Sequence, residues 1–318
     1  MKKFFKSSLS LVLALTVIFS SAAVGLSEVD FSGLFAVKAK AANSGTCGEN
    51  VTWTYADGTV TISGVGEMTE KPNWYGDPYY GTEKVVIEDG VTGLCDYAFS
   101  KLSNLSSVSI PDSVTKIGIN AFNECRNLTS VYITDLASWC DIDFANDKSN
   151  PLFYSDALYL NGELLEGEVA IPAGISKIST YALSCHNITS VIIPYGVTEI
   201  GDFAFNYSKN LTSVTIPDSV VTIGISAFSH CYNLTEVIVP DSVTTIGEDA
   251  FCKCSSLKNI TLSKNLTAIA EETFSSCSSL EKITIPGSVK NIGLVEQYGK
   301  IGIGVSLNER WFVKRRFK

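Results

Sequence analysis

The sequence predicts an α/β solenoid: stacked 23-residue coils, each giving short parallel strands and one short helical turn, with a β-hairpin covering the N-terminal end. Three observations predict it. The chain repeats when written in rows of 23: "LTSVTIPDSVVTIGISAFSHCYN" from Leu211, "LTEVIVPDSVTTIGEDAFCKCSS" from Leu234 and "LKNITLSKNLTAIAEETFSSCSS" from Leu257. Within a row the same apolar positions return (Leu211, Val214, Ile216, Val220, Ile223, Ala227, Phe228 and Cys231) while the residues between them vary. Ahead of the first row, "VTWTYADGTVTI" from Val51 alternates apolar and polar residues on both sides of Asp57-Gly58, a strong two-residue hairpin signal.

One row explains each element in turn. Val214-Thr215-Ile216 alternates with period two, so it reads as a strand with Thr215 outward, and Pro217 ends it because proline has no N–H for the ladder. Asp218-Ser219 makes a turn and residues 220–223 form a second extended piece. Gly224 then lets the backbone bend into "ISAFSHC", where Ala227, Phe228 and Cys231 stand three to four apart, about one helical turn. One coil cannot bury eight apolar residues alone, so neighbours stack at about 4.8 Å. Each buried Phe of the Ala-Phe pair contributes about 2–3 kcal/mol.

Further copies begin near Thr82, Leu105, Leu165 and Ile188, and a truncated one at Leu280. They divide the chain into residues 1–41, a signal peptide; 42–81, the hairpin module; 82–293, the solenoid, interrupted by an insertion at about 135–164; and 294–318, a tail with five basic residues among its last nine. The interrupted region needs 14 residues more than two rows. Asn161-Gly162 within it signals another hairpin, and Trp139, Phe144 and Phe153 are expected to pack down as an apolar flap.

The row L-x-x-V-x-I-P-x-x-V-x-x-I-G-x-x-A-F-x-x-C-x-N resembles the BspA-type leucine-rich repeat, a bacterial surface and secreted family. The resemblance covers about residues 82–293 and implies a leucine-rich-repeat solenoid that binds other macromolecules, without a shared catalytic site. Glu88 and Ser263 depart from its proline and Cys95 and Ala270 from its glycine, and after Ile292-Gly293 the pattern stops.

The opening "MKKFFKSSLSLVLALTVIFSSAAVG" sets Lys2, Lys3 and Lys6 before an apolar run too short to span a membrane comfortably, as a secretory signal does, with cleavage favoured after Ala41. Cleavage removes five of 24 basic and two of 33 acidic residues, leaving a net charge of −12. That sign excludes nucleic-acid binding, and no later run has the roughly 18 apolar residues of a membrane helix. The expected location is extracellular or at the cell surface.

Nine cysteines in such a chain suggest disulfides, but Cys231, Cys254 and Cys277 follow the 23-residue period, which a disulfide framework has no reason to keep. Their slot is shared by Cys125, Cys185, Leu102 and Ser208 and is read as a packing slot for free thiols. Cys47 and Cys252 lie outside it and are the ones able to pair. Both histidines adjoin a cysteine, His230 before Cys231 and His186 after Cys185, yet they occupy different, variable positions, so no catalytic pair is expected. Asp141, Asp143 and Asp147 lack the glycine and glutamate of a calcium loop, and no metal or cofactor site is expected. The Asn-x-Ser/Thr element that recurs at Asn127, Asn187, Asn210 and Asn233 is read as an asparagine ladder bonding the backbone of each bend.

Function is expected on the outward strand positions Ser109, Tyr132, Ala170, Ile192, Thr215, Ile238, Thr261 and Thr284. Inward neighbours are pinned by packing, so this line is free to encode a ligand, an extracellular protein or glycan. Tyr132, Ile192, Thr215, Ile238 and Thr261 are its candidate binding face. The alternatives are a carbohydrate-binding protein or hydrolase with its site in the N-terminal module or the insertion, and a structural surface protein.

Overall fold

Each regular row becomes one coil, paired in parallel with its predecessor 23 residues back: Val85 opposite Val108, Val108 opposite Val131, Val191 opposite Val214. The computed structural model describes residues 43–72, 80–155, 157–185, 187–281 and 283–293. The expected signal peptide, the basic tail and His186 lie outside the described residues. Alternation decides which side chains face inward, and Val85, Val108, Val131 and Val191 are fully buried.

The hairpin forms as its sequence requires. Val51–Ala56 and Thr59–Gly64 pair antiparallel around Asp57 and Gly58, both in the left-handed region (φ 47° and 74°), and Ser44–Thr46 adds an outer strand. Thr59–Gly64 then pairs in parallel with Lys84–Ile87 of the first coil, and Trp53 lies buried beneath. A first block of coils continues through Ser107–Ile110 and Ser130–Ile133 to Leu158–Leu160, with a second short sheet of Gly66–Glu67, Val91–Leu94, Lys116–Ile117 and Asp143–Phe144. The second block runs from Gly167–Ala170 through Ile188–Ile192, Ser213–Thr215 and Glu236–Ile238 to Asn259–Thr261, with its own parallel companion sheet.

The insertion separates the blocks. Its helix Leu136–Asp141 is capped by Asp135, whose carboxylate accepts the Ser138 N–H at 2.6 Å, and its Asn161-Gly162 turn closes the hairpin of Leu158–Leu160 with Glu163–Leu164. Trp139, 1% exposed, donates from Nε1 to the Ala182 carbonyl at 2.8 Å, and the Cys140 carbonyl accepts the Ser179 N–H at 2.7 Å. The helix therefore docks on the second block with its polar groups matched. Phe144 is buried as expected, but Phe153 is not: it stands 49% exposed, edge-on to Tyr154.

The helical turn expected in each row is a run of tight turns instead. Ser226 and His230 take positive φ (51° and 62°), as do their equivalents in other coils, and the N–H groups alternate in direction. Ser226, Phe228 and His230 donate to Glu248, Ala250 and Cys252 of the next coil, each at 2.8 Å, while Ala227, Ser229 and Cys231 bond back within the turn at 3.0–3.4 Å. A helix would consume every donor inside its own coil, leaving the neighbour's carbonyls unmatched. The glycine before the turn also has another reason than the one expected. Gly224 needs no unusual φ, but a Cβ there would meet the Asp202 backbone nitrogen at 2.6 Å, so glycine is required by the approach of the preceding coil.

Inside, phenylalanines stack in a column: Phe205, Phe228, Phe251 and Phe274, with centroids 5.1, 5.4 and 5.9 Å apart. The cysteine slot proves to be a donor slot as well as a packing one. Cys125, Cys231, Cys254 and Cys277 donate from Sγ to the Phe carbonyl of the coil before (Phe99, Phe205, Phe228 and Phe251) at 3.1–3.2 Å, and Ser208 does the same to Leu183 at 2.9 Å. Leu102 stands in the first repeat row, which has no row before it to supply such a turn carbonyl.

Two stability outcomes follow, to be read by thermal or denaturant unfolding. Phe228→Ala loses about 3–5 kcal/mol, whereas the outward Thr215→Ala changes stability by under about 0.5 kcal/mol. Cys254→Ser, which keeps a donor for the Phe228 carbonyl, is better tolerated than Cys254→Val, which strands it at a cost of about 1–3 kcal/mol.

Candidate functional site

The outward strand line exists, in two parts. In the first block Ser109 lies opposite Tyr132, and Tyr132 opposite Tyr159 of the insertion; the two tyrosine rings stack at 4.7 Å and 23°. In the second block Ala170 lies opposite Ile192, Ile192 opposite Thr215, and Ile238 opposite Thr261. Ile192 is 39% and Ile238 61% exposed, and Thr215, Thr261 and Thr284 are exposed beside them. No backbone pairing joins Tyr159 to Ala170 among the described strands, so the line is interrupted there. Tyr159 was hidden from the repeat pattern because it falls in the insertion; its signal was the alternating "LYL" before Asn161-Gly162.

The opposite run of turns carries a second feature. Because side chains at one row position stack from coil to coil, the positive-φ positions form two outward columns. One holds Tyr181 and Phe203, stacked at 5.0 Å and 12°. The other holds Tyr207 and His230, stacked at 4.1 Å and 15°, followed by Lys253, whose Nζ lies 3.0 Å from His230 Nε2. At the insertion these columns end in an open cleft of about 580 Å³ walled by Phe153, Tyr181, Phe203 and Tyr207, with Asp147, Ser184, Asn206 and Lys209 at its edges. Row comparison alone does not find it, since Phe153 comes from the insertion.

His230 and Cys231 are not brought together as a pair. The imidazole lies on the turn surface with Nδ1 2.9 Å from Ser229 Oγ, while the Cys231 thiol points inward to the Phe205 carbonyl. Burial drives the Cys231 thiol far above its ordinary pKa, away from the thiolate a nucleophile needs. Burial, then Lys253, lowers the His230 pKa and favours the neutral ring. Ser229 is itself buried and out of reach of a substrate. The three aspartates of the insertion do not form a metal-ligand cluster among the described residues.

All nine cysteines are free, so the pairing open to Cys47 and Cys252 does not occur; both are buried thiols. The asparagine ladder is present at Asn104 and Asn127, whose side chains donate to the Tyr80 and Ser103 carbonyls at 2.6 and 2.7 Å. No helix among the described residues is long and apolar enough to cross a membrane.

A solenoid of about ten in-register β-coils carrying its variable residues on the outward faces is a repeat scaffold of the leucine-rich class. The BspA-type leucine-rich repeat model matches six copies in residues 79–150 and 169–295, more than half of the chain, and the protein belongs to that family. The unmatched stretch between falls within the insertion and its exit. None of the curated proteins matches. Among solved structures, a leucine-rich repeat protein from Eubacterium ventriosum is 19% identical, covering 86% of this chain and 98% of that one, with a TM-score of 0.35. The pneumococcal vaccine antigen PcpA is 15% identical over 79% of this chain and 94% of its own, with a TM-score of 0.45. A leucine rich cell surface protein from Faecalibacterium prausnitzii is 24% identical over 78% and 84%, with a TM-score of 0.30.

The thiol chemistry gives a pH signature. Burial pushes the thiols of Cys125 and Cys277 up to about 12 from an ordinary 9. Between those values the unfolded chain has released protons that the folded chain keeps, so stability is full below pH 9 and falls as pH rises toward 12. Urea midpoints should drop steadily above pH 9. Ellman's reagent at pH 8 should find no fast thiol in the native protein and nine after unfolding.

Proposed function

We propose that this protein is a non-enzymatic binding scaffold working outside the cell or at its surface, and that its outward strand line holds an extracellular macromolecule in attachment or colonisation. The exposed apolar residues on that line carry the reading. Ile192 and Ile238 occupy positions that threonine fills in neighbouring coils with equal strand preference, so packing does not require them, and rows of exposed apolar groups mark interaction surfaces. The Tyr132–Tyr159 stack adds a broad aromatic surface at the head of the line. The basic-then-apolar opening supports export, and the thiol and imidazole environments support the non-enzymatic reading. The hairpin serves as the N-terminal cap: its strand Thr59–Gly64 takes the pairing edge of the first coil, and its aromatic Trp53 is spent on the core.

The test is a matrix-protein and host-protein binding screen, followed by the triple variant Tyr132→Ser, Ile192→Thr, Ile238→Thr, shown by circular dichroism to be folded. At least a tenfold loss of affinity for the partner is expected; unchanged affinity overturns the strand line as the site.

A further inference from the structure

The cleft at the insertion lies where one turn of the repeat is a residue short. In successive rows the residue just before the cysteine donor slot points outward: "AFSHC" gives His230, "AFNYS" gives Tyr207, and "AFCKC" gives Lys253. The turn of the row from Leu165 reads "ALSC", one residue shorter, so that Val169 lies opposite Val191 only 22 residues on; the turn lacks one residue at this position, and Cys185 N–H bonds back to Leu183 rather than three residues back as in the other coils. The outward column Lys253, His230, Tyr207 therefore stops one rung early. One face of the Tyr207 ring is stacked by His230, and the ring, still 45% exposed, lines the cleft together with Ser184 of the shortened turn and Phe153 of the insertion.

We propose that this cleft is a carbohydrate subsite that takes a pyranose ring of a neutral glycan against the open face of Tyr207. Four features of the geometry select that ligand class. The ring faces are large but only half covered, Tyr207 at 45% and Phe153 at 49% exposed, which suits a ligand with one C–H face and an otherwise hydroxylated outline better than an apolar molecule needing enclosure. The volume of about 580 Å³ lies within the range of small-ligand clefts. Its polar edge mixes the carboxylate of Asp147, the hydroxyl of Ser184, the amide of Asn206 and the ammonium of Lys209, donors and acceptors for hydroxyl groups rather than a patch of one sign. The Tyr181–Phe203 stack beside it continues the aromatic floor in the direction of the coil axis, along which a chain of sugars can extend. This subsite is independent of the strand line, which lies on other residues.

The test is calorimetric and saturation-transfer titration of the whole protein with cellotetraose, xylotetraose, chitotetraose and maltotetraose. At least one is expected to bind saturably, and Tyr207→Ala and Phe153→Ala each weaken it tenfold or more. Ser184→Trp, which refills the missing rung, abolishes it. Thermal unfolding of the three variants shows whether they are folded; should one fail, the other exposed-ring variant carries the comparison. The strand-line triple variant keeps full sugar binding, which separates failure of this site from failure of the strand line. Absence of saturation by all four sugars at concentrations of order 10 mM overturns the proposal. So does binding that Tyr207→Ala leaves intact, or uptake of a proline-rich peptide at the cleft with no sugar bound.

Discussion

Everything in this fold depends on backbone donors finding acceptors one coil away. A short coil with no helix of its own has no internal ladder, so its N–H groups must be met by a neighbour that presents carbonyls at the same height. That condition fixes the coil length, puts consecutive coils in register and excludes a Cβ at Gly118, Gly224 and Gly247, where a side chain would strike the backbone of the coil before. It extends to side chains: the thiols of the cysteine column, the hydroxyls of Ser113 and Ser219 and those of Thr212 and Thr235 all reach a carbonyl of the coil before. Apolar burial drives the collapse, but the hydrogen-bond offset decides its pitch.

That constraint also explains how much was legible in the sequence. A contact that every coil makes with the next leaves the same residue type at the same row position, so the inward strands, the Phe column, the free cysteines and the hairpin turns at Asp57-Gly58 and Asn161-Gly162 could all be read from repetition and turn chemistry. The turn after the glycine was misread because three-to-four spacing of Ala227, Phe228 and Cys231 is common to a helix and to alternating tight turns; side-chain spacing does not tell whether the N–H groups point along the coil or across to the next. The donor role of the cysteine slot was masked for a related reason. Leucine and serine both occur there, and what separates Ser208 from Leu102 is a turn carbonyl in the coil before, Leu183, which Ser208 has to donate to and Leu102 of the first repeat row does not.

The candidate sites were legible in proportion to how regular they are. The strand line was found from the repeat, and it is the repeat that places Ile192 and Ile238 on it. Tyr159 and Phe153 were not assignable in this way, since they belong to the insertion and have no counterpart in other rows. The insertion does more than interrupt. Trp139 anchors it to the Ala182 carbonyl, its helix stands beside the strand Lys177–Ile178, and it brings the half-buried Tyr159 ring to the strand side and the exposed Phe153 ring to the turn side.

The thiol-to-carbonyl column has a consequence for how such a chain can change over generations. A coil whose donors and acceptors are matched to a copy of itself needs no new partner when it is copied, so whole coils can be gained or lost by recombination between neighbouring rows without disturbing the contacts of those that remain. Gain or loss of anything less than a whole coil disturbs the match locally, as in the shortened turn Leu183-Ser184-Cys185, where the Cys185 N–H turns back to the Leu183 carbonyl. The regular stretch from Ile188 onward is thus free to vary in length, while the junction around Trp139, which is copied nowhere else, must be inherited intact.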